Sequence, residues 1–563
     1  MKVSEKHLRW IFLILIVISF AVNYAGHFDR KLDPNGDNYH YFLLGHNLAT
    51  GHGYVSNIGR TPVPYTHFPP GYPLFMSVFL HVFPDNVVAM KVLNGLLLLV
   101  SLLLLFRIVR KTTGRYGIWY AFAACLLCTF HTILLRWSTI LMSEMLYTAI
   151  SLGIIAICLD LDLDKLRNKD RIQILLLVGL CLLVASAFLV RTMGLSVVLA
   201  AGLAFLVLLI KALINRKKEP RGWLMPLVVW VAITASILIT MTAWNQRNQR
   251  VQPGWQSDYW TSFKLPTSTE KSIGVEKFWL SRIEMNLRAF VPYYIPYTVF
   301  NPDKARLNNM AVEKRDMIWV GGILTIGVIL VGLLAMKGLQ WLLILYVLIT
   351  FGVLVVYPPQ FADTRYFVPL IPLLLAGFVV GVGTIVAWLV KRWNRRERTW
   401  PAIVAVAVML AVLLPVYYTS QYVYKTIGKC SSYGELPGMG PYQEYIDACI
   451  ACREFPPNRL TATVKPEIFH VYSKYHHAVS IPRSGTPEEV IQYLEDNLVD
   501  VIIIDSWYPA AYRVLLPTAQ MYPERFTVLG TFGNPEEPTW VVGFLPPRGW
   551  VRPPKPDAEE AEE

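Results

Sequence analysis

Charged residues are scarce in this chain, and their scarcity excludes the commonest class of protein. Of the 563 residues, 16% are charged and 54% are hydrophobic, with a mean hydropathy of +0.41. A typical soluble domain carries about 25% charged residues, so the composition excludes an ordinary soluble domain. Acidic residues are fewer than basic ones, with 39 Asp and Glu against 52 Lys and Arg.

Cysteine is also scarce, with 7 in the whole chain. Four lie in apolar segments and are interpreted as packing residues: Cys125, Cys128, Cys158 and Cys181. For the other three, a disulfide from Cys430 to Cys449 or Cys452 and no disulfide at all are both open. The single CxxC pair is a weak signal for metal or redox chemistry. The outward segments also lack an Asn-x-Ser/Thr site, which fits a bacterial envelope protein.

Long apolar segments are abundant. A helix needs about 20 apolar residues to cross a bilayer, and the sequence contains about eleven candidates. They are residues 9–25, 86–106, 117–135, 144–160, 172–190, 193–212, 223–243, 317–336, 338–356, 366–390 and 400–419. The apolar run at 72–83 is too short to cross and predicts a re-entrant or interfacial helix. We therefore expect a polytopic α-helical membrane protein.

Lys and Arg cluster in every second loop between these segments, which is the pattern of cytoplasmic loops. This pattern predicts a multi-pass protein of the inner or plasma membrane, with a cytoplasmic N-terminus and an extracytoplasmic C-terminus. Because the loops account for so many basic residues, the net charge of +13 requires no nucleic-acid partner. A cleaved signal peptide is the alternative for the first segment, although no small-x-small cleavage site is clear near Ala25.

Three outward segments are long enough to form sites or domains. Residues 1–420 are expected to form a transmembrane domain with outer loops at 26–85 and 244–316. Residues 421–550 alternate strand-like and helical stretches, which predicts a soluble extracytoplasmic α/β domain with a mostly parallel sheet. Residues 551–563 are rich in Pro and Glu and are predicted to be disordered.

Two acidic residues are candidate catalytic groups. Asp37 follows the turn-forming run at 34–36 and precedes a helical stretch, where a helix N-terminus keeps a carboxylate ionised. An ionised Asp can act as a general base, although it can equally be a helix cap. Glu144 opens the fourth apolar segment, where it is either a cap or, since charges near a membrane are costly, a functional residue.

Basic and aromatic residues accompany these acids. Lys91, Arg191 and Arg365 each stand near the outer end of an apolar segment. Each is either a side chain that reaches out to the membrane surface or a ligand for a lipid phosphate. His67 belongs to the rigid aromatic run at 67–73, which at the least turns the chain back towards the membrane.

These motifs, taken in order, resemble the GT-C class of integral-membrane glycosyltransferases. The branch is that of protein O-mannosyltransferases and lipid A aminoarabinose transferases. The resemblance covers about residues 1–420 and rests on an ordered set: Asp37-x-x-x-Tyr41, Asn47-Leu48-Ala49-x-Gly51-x-Gly53-Tyr54, Pro69-Pro70-Gly71-Tyr72-Pro73, Ser143-Glu144, Leu189-Val190-Arg191-Thr192 and Arg365-Tyr366-x-x-Pro369-x-x-Pro372. His40 departs from the pattern, because aminoarabinose transferases can carry Arg at that position, so an identical donor is not implied.

The resemblance implies an inverting transfer of a sugar from a polyprenyl-phosphate carrier to a lipid, glycan or protein acceptor outside the membrane. It makes Asp37 the base that deprotonates the acceptor and Glu144 a residue that orients a substrate. The expected substrate-binding residues are Lys91, Arg191, Arg365, Tyr366, His40, Tyr41 and His67. No cofactor is expected, although two acids also offer ligands for a divalent metal.

Two other classes compete with this interpretation. A transporter or lipid flippase usually carries its charged site near the midplane, between inverted repeats. Here the charges stand at the outer ends of the segments, and the sequence shows no internal repeat. A scaffold that presents the C-terminal domain is the third class, but an anchor needs far fewer apolar segments.

Overall fold

The computed structural model describes residues 4–34, 36–217, 219–266, 278–300, 315–338, 340–359, 364–393, 403, 407 and 440–545. The chain forms two compact units. The membrane unit comprises Met1–Leu32, Leu48–Gly51 and Tyr65–Lys429, and the α/β unit comprises Asp33–Asn47, His52–Pro64 and Cys430–Glu563.

The described helices up to residue 393 are numbered in chain order. They are α1 (Glu5–His27), α2 (Gly36–Ala49), α3 (Gly71–Val82), α4 (Val87–Thr112), α5 (Gly117–Thr129), α6 (Thr132–Ser138), α7 (Glu144–Asp160), α8 (Leu163–Arg167), α9 (Arg171–Val190), α10 (Leu195–Ile214), α11 (Leu224–Val251), α12 (Asp258–Lys264), α13 (Phe278–Ala289), α14 (Ile295–Phe300), α15 (Arg315–Ala335), α16 (Gln340–Val356) and α17 (Ile371–Trp393). A π-helical turn at Phe290–Tyr294 joins α13 to α14.

The membrane unit is built from apolar helices, which confirms a multi-pass membrane protein. Among the described residues, seven helices are long and apolar enough to cross a membrane, and an eighth forms if the bent pair α5 and α6 is one span. Helix α4 is well inside this unit, since Leu98, Leu102 and Leu105 on one of its faces are 0% exposed. This spacing of buried residues is typical of a helix that packs against its neighbours along one stripe.

The count is lower than the predicted eleven or so for identifiable reasons. Helices α7 and α16 contain 17 residues each, slightly fewer than an ordinary span requires. The segment predicted at 117–135 bends by 63° between α5 and α6. The bend follows from His131, whose ring caps α6 by accepting a hydrogen bond from the Leu134 N–H. Apart from residues 403 and 407, the span predicted at 400–419 lies outside the described residues.

The α/β unit continues the numbering with α18 (Gly440–Ala451), α19 (Pro466–Tyr472), α20 (Pro487–Asp496) and α21 (Pro509–Met521). Its strands are β1 (Val55–Ser56), β2 (Val63–Pro64), β3 (Thr461–Thr463), β4 (Ala478–Ser480), β5 (Val501–Ile504), β6 (Phe526–Phe532) and β7 (Thr539–Phe544). Strands β1 and β2 form a small antiparallel pair, and the others form a sheet in the order β4-β3-β5-β7-β6.

The predicted α/β domain is confirmed, but its sheet is mixed rather than mostly parallel. Strand β3 pairs in parallel with β4 and β5, whereas β7 is antiparallel to β5 and β6. The prediction missed β6 because this edge strand is largely exposed and lacks a clear apolar alternation. The capping box that starts α20 is present, with Thr486 and Glu489 each bonded to the other's backbone.

Three further sequence predictions concern the cysteines, the C-terminal tail and the domain boundary. Cys449 and Cys452 are buried free thiols, so neither forms the disulfide that the sequence left open, and Cys430 lies outside the described residues. The tail at 551–563 also lies outside them. The predicted domain boundary assigned the whole loop 26–85 to the membrane domain, whereas Asp33–Asn47 and His52–Pro64 belong to the α/β unit.

Candidate active site

A buried ion pair marks the start of α7 in the membrane unit. The Glu144 side chain is 0% exposed, and its Oε1 lies 2.5 Å from Nη1 of Arg191, which is 12% exposed. The same guanidinium nitrogen donates a hydrogen bond of 3.2 Å to the Ser143 hydroxyl. Among the described residues, neither carboxylate oxygen of Glu144 has a hydrogen-bond donor in good geometry. A buried carboxylate with unfilled acceptor positions is costly, so Glu144 is a strong candidate for a substrate contact.

The break between α9 and α10 places Arg191 beside Glu144. Arg191 has an extended backbone at the end of α9, and the tight turn Thr192–Gly194 follows it. The Tyr147 hydroxyl on α7 donates to the Met193 carbonyl at 3.1 Å, which connects the turn to the helix that carries Glu144. The break between α9 and α10 therefore holds Arg191 beside Glu144, although the two residues are far apart in the sequence.

Tyr366 lies close to two guanidinium groups. Its ring centroid is 5.6 Å from the guanidinium carbon of Arg191 and 5.1 Å from that of Arg365. The Arg365 Nη2 also donates to the Tyr366 hydroxyl at 3.3 Å. We call Glu144, Arg191, Arg365 and Tyr366 the acid–arginine cluster. It combines one carboxylate with two guanidinium groups, and this excess of positive charge suits an anionic ligand.

Two polar residues that the sequence interpretation missed support this cluster. Asn286 on α13 donates to the Leu354, Val355 and Tyr357 carbonyls at 3.2, 2.8 and 2.7 Å. The Tyr357 ring in turn packs 5.6 Å from the Tyr366 ring. Arg282 is 0% exposed. The sequence feature that could have identified both residues is their i,i+4 spacing, which places Arg282 and Asn286 on one face of α13.

Arg282 anchors the neighbouring segment. Its guanidinium donates to the Ser262, Phe263 and Leu265 carbonyls at 3.1, 3.3 and 3.0 Å. A buried Arg that donates to backbone carbonyls fixes the path of an irregular chain segment. This part of the predicted outer loop at 244–316 therefore supports the residues around Tyr366.

The Pro-Pro segment approaches the same region through α3. Gly71 begins this helix, and a Cβ there would stand 2.7 Å from the Leu189 carbonyl carbon, so only glycine allows the approach. Leu189 is two residues before Arg191 in the sequence. The Tyr72 hydroxyl donates to Asn94 at 3.1 Å, and Asn94 donates to the Ile140 carbonyl at 2.6 Å. These contacts position the short connection that precedes Glu144.

Lys91 is buried, so the first of its two predicted roles, a side chain that reaches out to the membrane surface, is wrong. Its side chain is 2% exposed and forms a 3.0 Å ion pair with Asp29. The ammonium also donates to the Asp29 carbonyl at 3.2 Å and to the Lys31 carbonyl. Each of these acceptors can take one of the three N–H donors of the ammonium. These contacts hold the end of the segment after α1, and a role of Lys91 in binding a phosphate stays a prediction.

Asp37 belongs to the α/β unit, in the first turn of α2. Its side chain is half-buried, as is that of His40, whereas Tyr41 is 6% exposed. Spacings of three and four residues place His40 and Tyr41 on the same helix face as Asp37. The sequence prediction of a helix start at this carboxylate is thus confirmed, while the catalytic role of Asp37 stays a prediction.

His67 is exposed in the membrane unit, with its ring 4.7 Å from that of Phe68. Within the described ranges, no group of three or more His, Cys, Asp or Glu residues is arranged to hold a metal ion.

Comparison with known proteins identifies the fold. No family model matches the sequence, and no curated protein matches it significantly. Among solved structures, the archaeal oligosaccharyltransferase AglB from Archaeoglobus fulgidus, in complex with an inhibitory peptide and a dolichol-phosphate, matches with a TM-score of 0.53 at 13% identity, over 94% of this chain and 74% of that one. ArnT from Cupriavidus metallidurans, bound to undecaprenyl phosphate, matches with a TM-score of 0.52 at 13% identity, over 96% and 98%. This likeness confirms that the chain has the GT-C fold that the sequence resemblance predicts.

Proposed function

We propose that this protein is a glycosyltransferase that moves a sugar from a polyprenyl-phosphate carrier to an acceptor at the outer face of the membrane. The acid–arginine cluster is the observation that carries the proposal. It offers two guanidinium groups and one under-bonded carboxylate in a chain whose fold matches two enzymes captured with lipid phosphates. The orientation follows from the loop charges, with the N-terminus inside and the C-terminus outside.

In the proposed reaction the acceptor attacks the anomeric carbon from the side opposite the carrier phosphate. The bond between this carbon and the phosphate oxygen breaks while the bond to the acceptor forms, so the configuration inverts. Asp37 takes the proton of the acceptor. The polyprenyl phosphate leaves with an extra negative charge, which Arg191 and Arg365 stabilise through charge-assisted hydrogen bonds.

Glu144 has two roles in this proposal. It fixes the Arg191 guanidinium through the ion pair, and its under-bonded oxygen accepts a hydrogen bond from a substrate hydroxyl. Tyr366, His40, Tyr41 and His67 are proposed substrate contacts. Because two guanidinium groups supply the positive charge, we expect transfer to need no metal ion and to continue in EDTA.

Binding of the carrier lipid separates this proposal from its competitors. In detergent, polyprenyl phosphate should raise the thermal stability of the purified protein, whereas polyprenol of the same length should not. Arg365→Ala removes one charge-assisted contact, worth about 1.5–3 kcal/mol, and should weaken binding by roughly 10–150-fold. Equal effects of the two lipids would contradict phosphate recognition, and lipid translocation without sugar transfer would indicate a flippase.

A further inference from the structure

We infer that the α/β unit positions the catalytic base, because it holds the helix that carries Asp37. This inference rests on the proposed function and goes beyond it, since it makes residues near the C-terminus part of the catalytic apparatus. All of the contacts that carry it lie within the α/β unit.

The first contact is a cluster of tyrosine hydroxyls. Tyr39 is 0% exposed, and its hydroxyl lies 2.7 Å from that of Tyr442 and 3.4 Å from that of Tyr472. Tyr442 is also fully buried and packs against Trp507, with ring centroids 4.6 Å apart. A buried hydroxyl without a partner is costly, so this cluster fixes the position of Tyr39 tightly. We call Tyr39, Tyr442 and Tyr472 the tyrosine cluster.

The second contact lies two helical turns further along α2. The His46 ring stacks on the Tyr475 ring with centroids 4.6 Å apart, and the Tyr475 hydroxyl lies 3.3 Å from the His46 Nδ1. Residues seven apart lie on the same face of a helix. Tyr39 and His46 therefore form one face of α2 that packs on residues of the C-terminal domain.

The helix start and the segment after α2 are held as well. A Cβ at Gly36 would lie 2.6 Å from Oε1 of Glu467, so the first residue of α2 approaches α19 closely. Further along, the Ala478 N–H at the start of β4 donates to the Ile58 carbonyl at 2.8 Å. Arg60 forms a 3.0 Å ion pair with Asp500. The α/β unit thus holds the chain before, along and after the helix.

The geometry of the helix separates the held face from the catalytic face. An α-helix turns by about 100° per residue, so Asp37 lies roughly 160° around the axis from Tyr39. His40 and Tyr41 are on the same side as Asp37. Contacts through Tyr39 and His46 therefore set the rotation of α2, and with it the placement of the Asp37 carboxylate.

This arrangement makes the rate sensitive to contacts on the far side of the helix. A helix of 14 residues is marginal by itself, so α2 depends on its tertiary contacts. A misplacement of about 1 Å at a reacting group can cost about 100-fold in rate. Loosening the tyrosine cluster should consequently lower the rate of the chemical step and leave donor binding by the acid–arginine cluster unchanged.

Hydroxyl deletions test the inference in the full-length protein. Tyr39→Phe and Tyr442→Phe each remove one partner of the same hydroxyl pair and keep the ring. Each should lower kcat by about 10–100-fold with the donor KM unchanged. The double variant should be no slower than Tyr39→Phe, because that single variant has already lost the hydroxyl contact that Tyr442→Phe removes.

A matched control and a second measurement keep the result interpretable. Tyr493→Phe removes a hydroxyl that donates to the Ser480 carbonyl at 2.7 Å in the same unit, from helix α20 rather than α2, and should leave kcat unchanged. Hydrogen exchange in residues 36–47 should become faster in Tyr39→Phe and stay unchanged in Tyr493→Phe.

The possible outcomes distinguish a failure of the positioning role from a failure of Asp37 as the catalytic base. If Asp37→Asn is inactive while Tyr39→Phe and Tyr442→Phe keep wild-type kcat, the positioning role is overturned and the proposed base stands. Additive losses in the double variant, or a raised donor KM with constant kcat, would also overturn it. If Asp37→Asn transfers sugar at the wild-type rate, the proposed base fails and the inference fails with it.

Discussion

Glu144 and Arg191 form the most buried ion pair of the described membrane unit, with 2.5 Å between the carboxylate and guanidinium atoms. They come from different helices, and each stands at a helix end rather than within one. A buried pair is weak support for stability, because removing two charges from water is expensive. Its position beside Tyr366 and Arg365 is instead the arrangement expected of a functional site.

Arg191→Ala should lower the stability of the protein strongly, because it leaves the Glu144 carboxylate buried and unpaired. The expected cost is about 3–5 kcal/mol, measured by thermal unfolding in detergent. Adding Glu144→Gln to this variant should recover much of the stability and none of the transfer activity. Arg107→Ala is the matched control, since Arg107 lies 2.5 Å from Asp160 but is 52% exposed. It should cost at most about 1 kcal/mol. Equal losses in both pairs would contradict the assignment.

Asp37→Asn should lower the rate of sugar transfer by about 10²–10⁴-fold, because the amide cannot accept the acceptor's proton. Asparagine nearly preserves the shape and remains compatible with a helix start. The measurement is kcat with a polyprenyl-phosphate sugar in purified protein. Asp85→Asn, at a turn residue with φ of 54°, is the control, because Asn also tolerates this conformation. Transfer near the wild-type rate in Asp37→Asn would remove Asp37 from the role of base.

Lys91→Met should destabilise the protein and leave the donor KM unchanged in the fraction that folds. A lysine that binds the lipid phosphate, which is one of the two roles predicted from the sequence, would instead raise the donor KM. The expected loss of stability follows from the contacts of the buried Lys91 ammonium with Asp29 and Lys31. Asp29→Asn should produce a similar loss of thermal stability, since it breaks the same pair. A raised KM at constant melting temperature in Lys91→Met would restore the phosphate-binding role.

The stability of the α/β unit should depend on pH through Asp505. Burial raises the pKa of this carboxyl from its ordinary value of 3.8 to about 7, although a 2.7 Å hydrogen bond from the Tyr508 N–H opposes the shift. Between these values the unfolded chain is ionised while the folded chain keeps its proton. The free energy of unfolding should therefore fall as the pH rises from about 4 to 7 and level off above.

The difference in melting temperature between the wild type and Asp505→Asn, followed from pH 4 to 8, isolates this contribution. Burial lowers the pKa of His470 to about 4. His470 therefore makes the folded protein more stable as the pH rises over part of the same range. Because the wild type and Asp505→Asn both contain His470, its contribution cancels in the difference between their melting temperatures. The wild type should lose stability relative to Asp505→Asn across the window. Parallel curves for the two proteins would show that Asp505 keeps an ordinary pKa.

Much of the membrane unit was predictable from sequence because apolar length is a local property. Spans such as 9–25 and 172–190 appear as α1 and α9 with ends shifted by a few residues. Asp37 at a helix start was also predictable, since the preceding turn residues act locally. Sequence reasoning did not anticipate the bend at His131, because a polar cap within an apolar run looks like part of a continuous span.

The sequence by itself determined the class of this protein, since scarce charge and long apolar runs permit few alternatives to a multi-pass membrane protein. It also identified acidic and basic residues that are candidates for a functional site. Only the tertiary structure decided their partners. It paired Lys91 with Asp29, brought Arg191 to Glu144, and placed Tyr39 against Tyr442, which is 403 residues away in the chain. Such contacts depend on which surfaces pack together after the helices have formed, and no local pattern in the sequence encodes that choice.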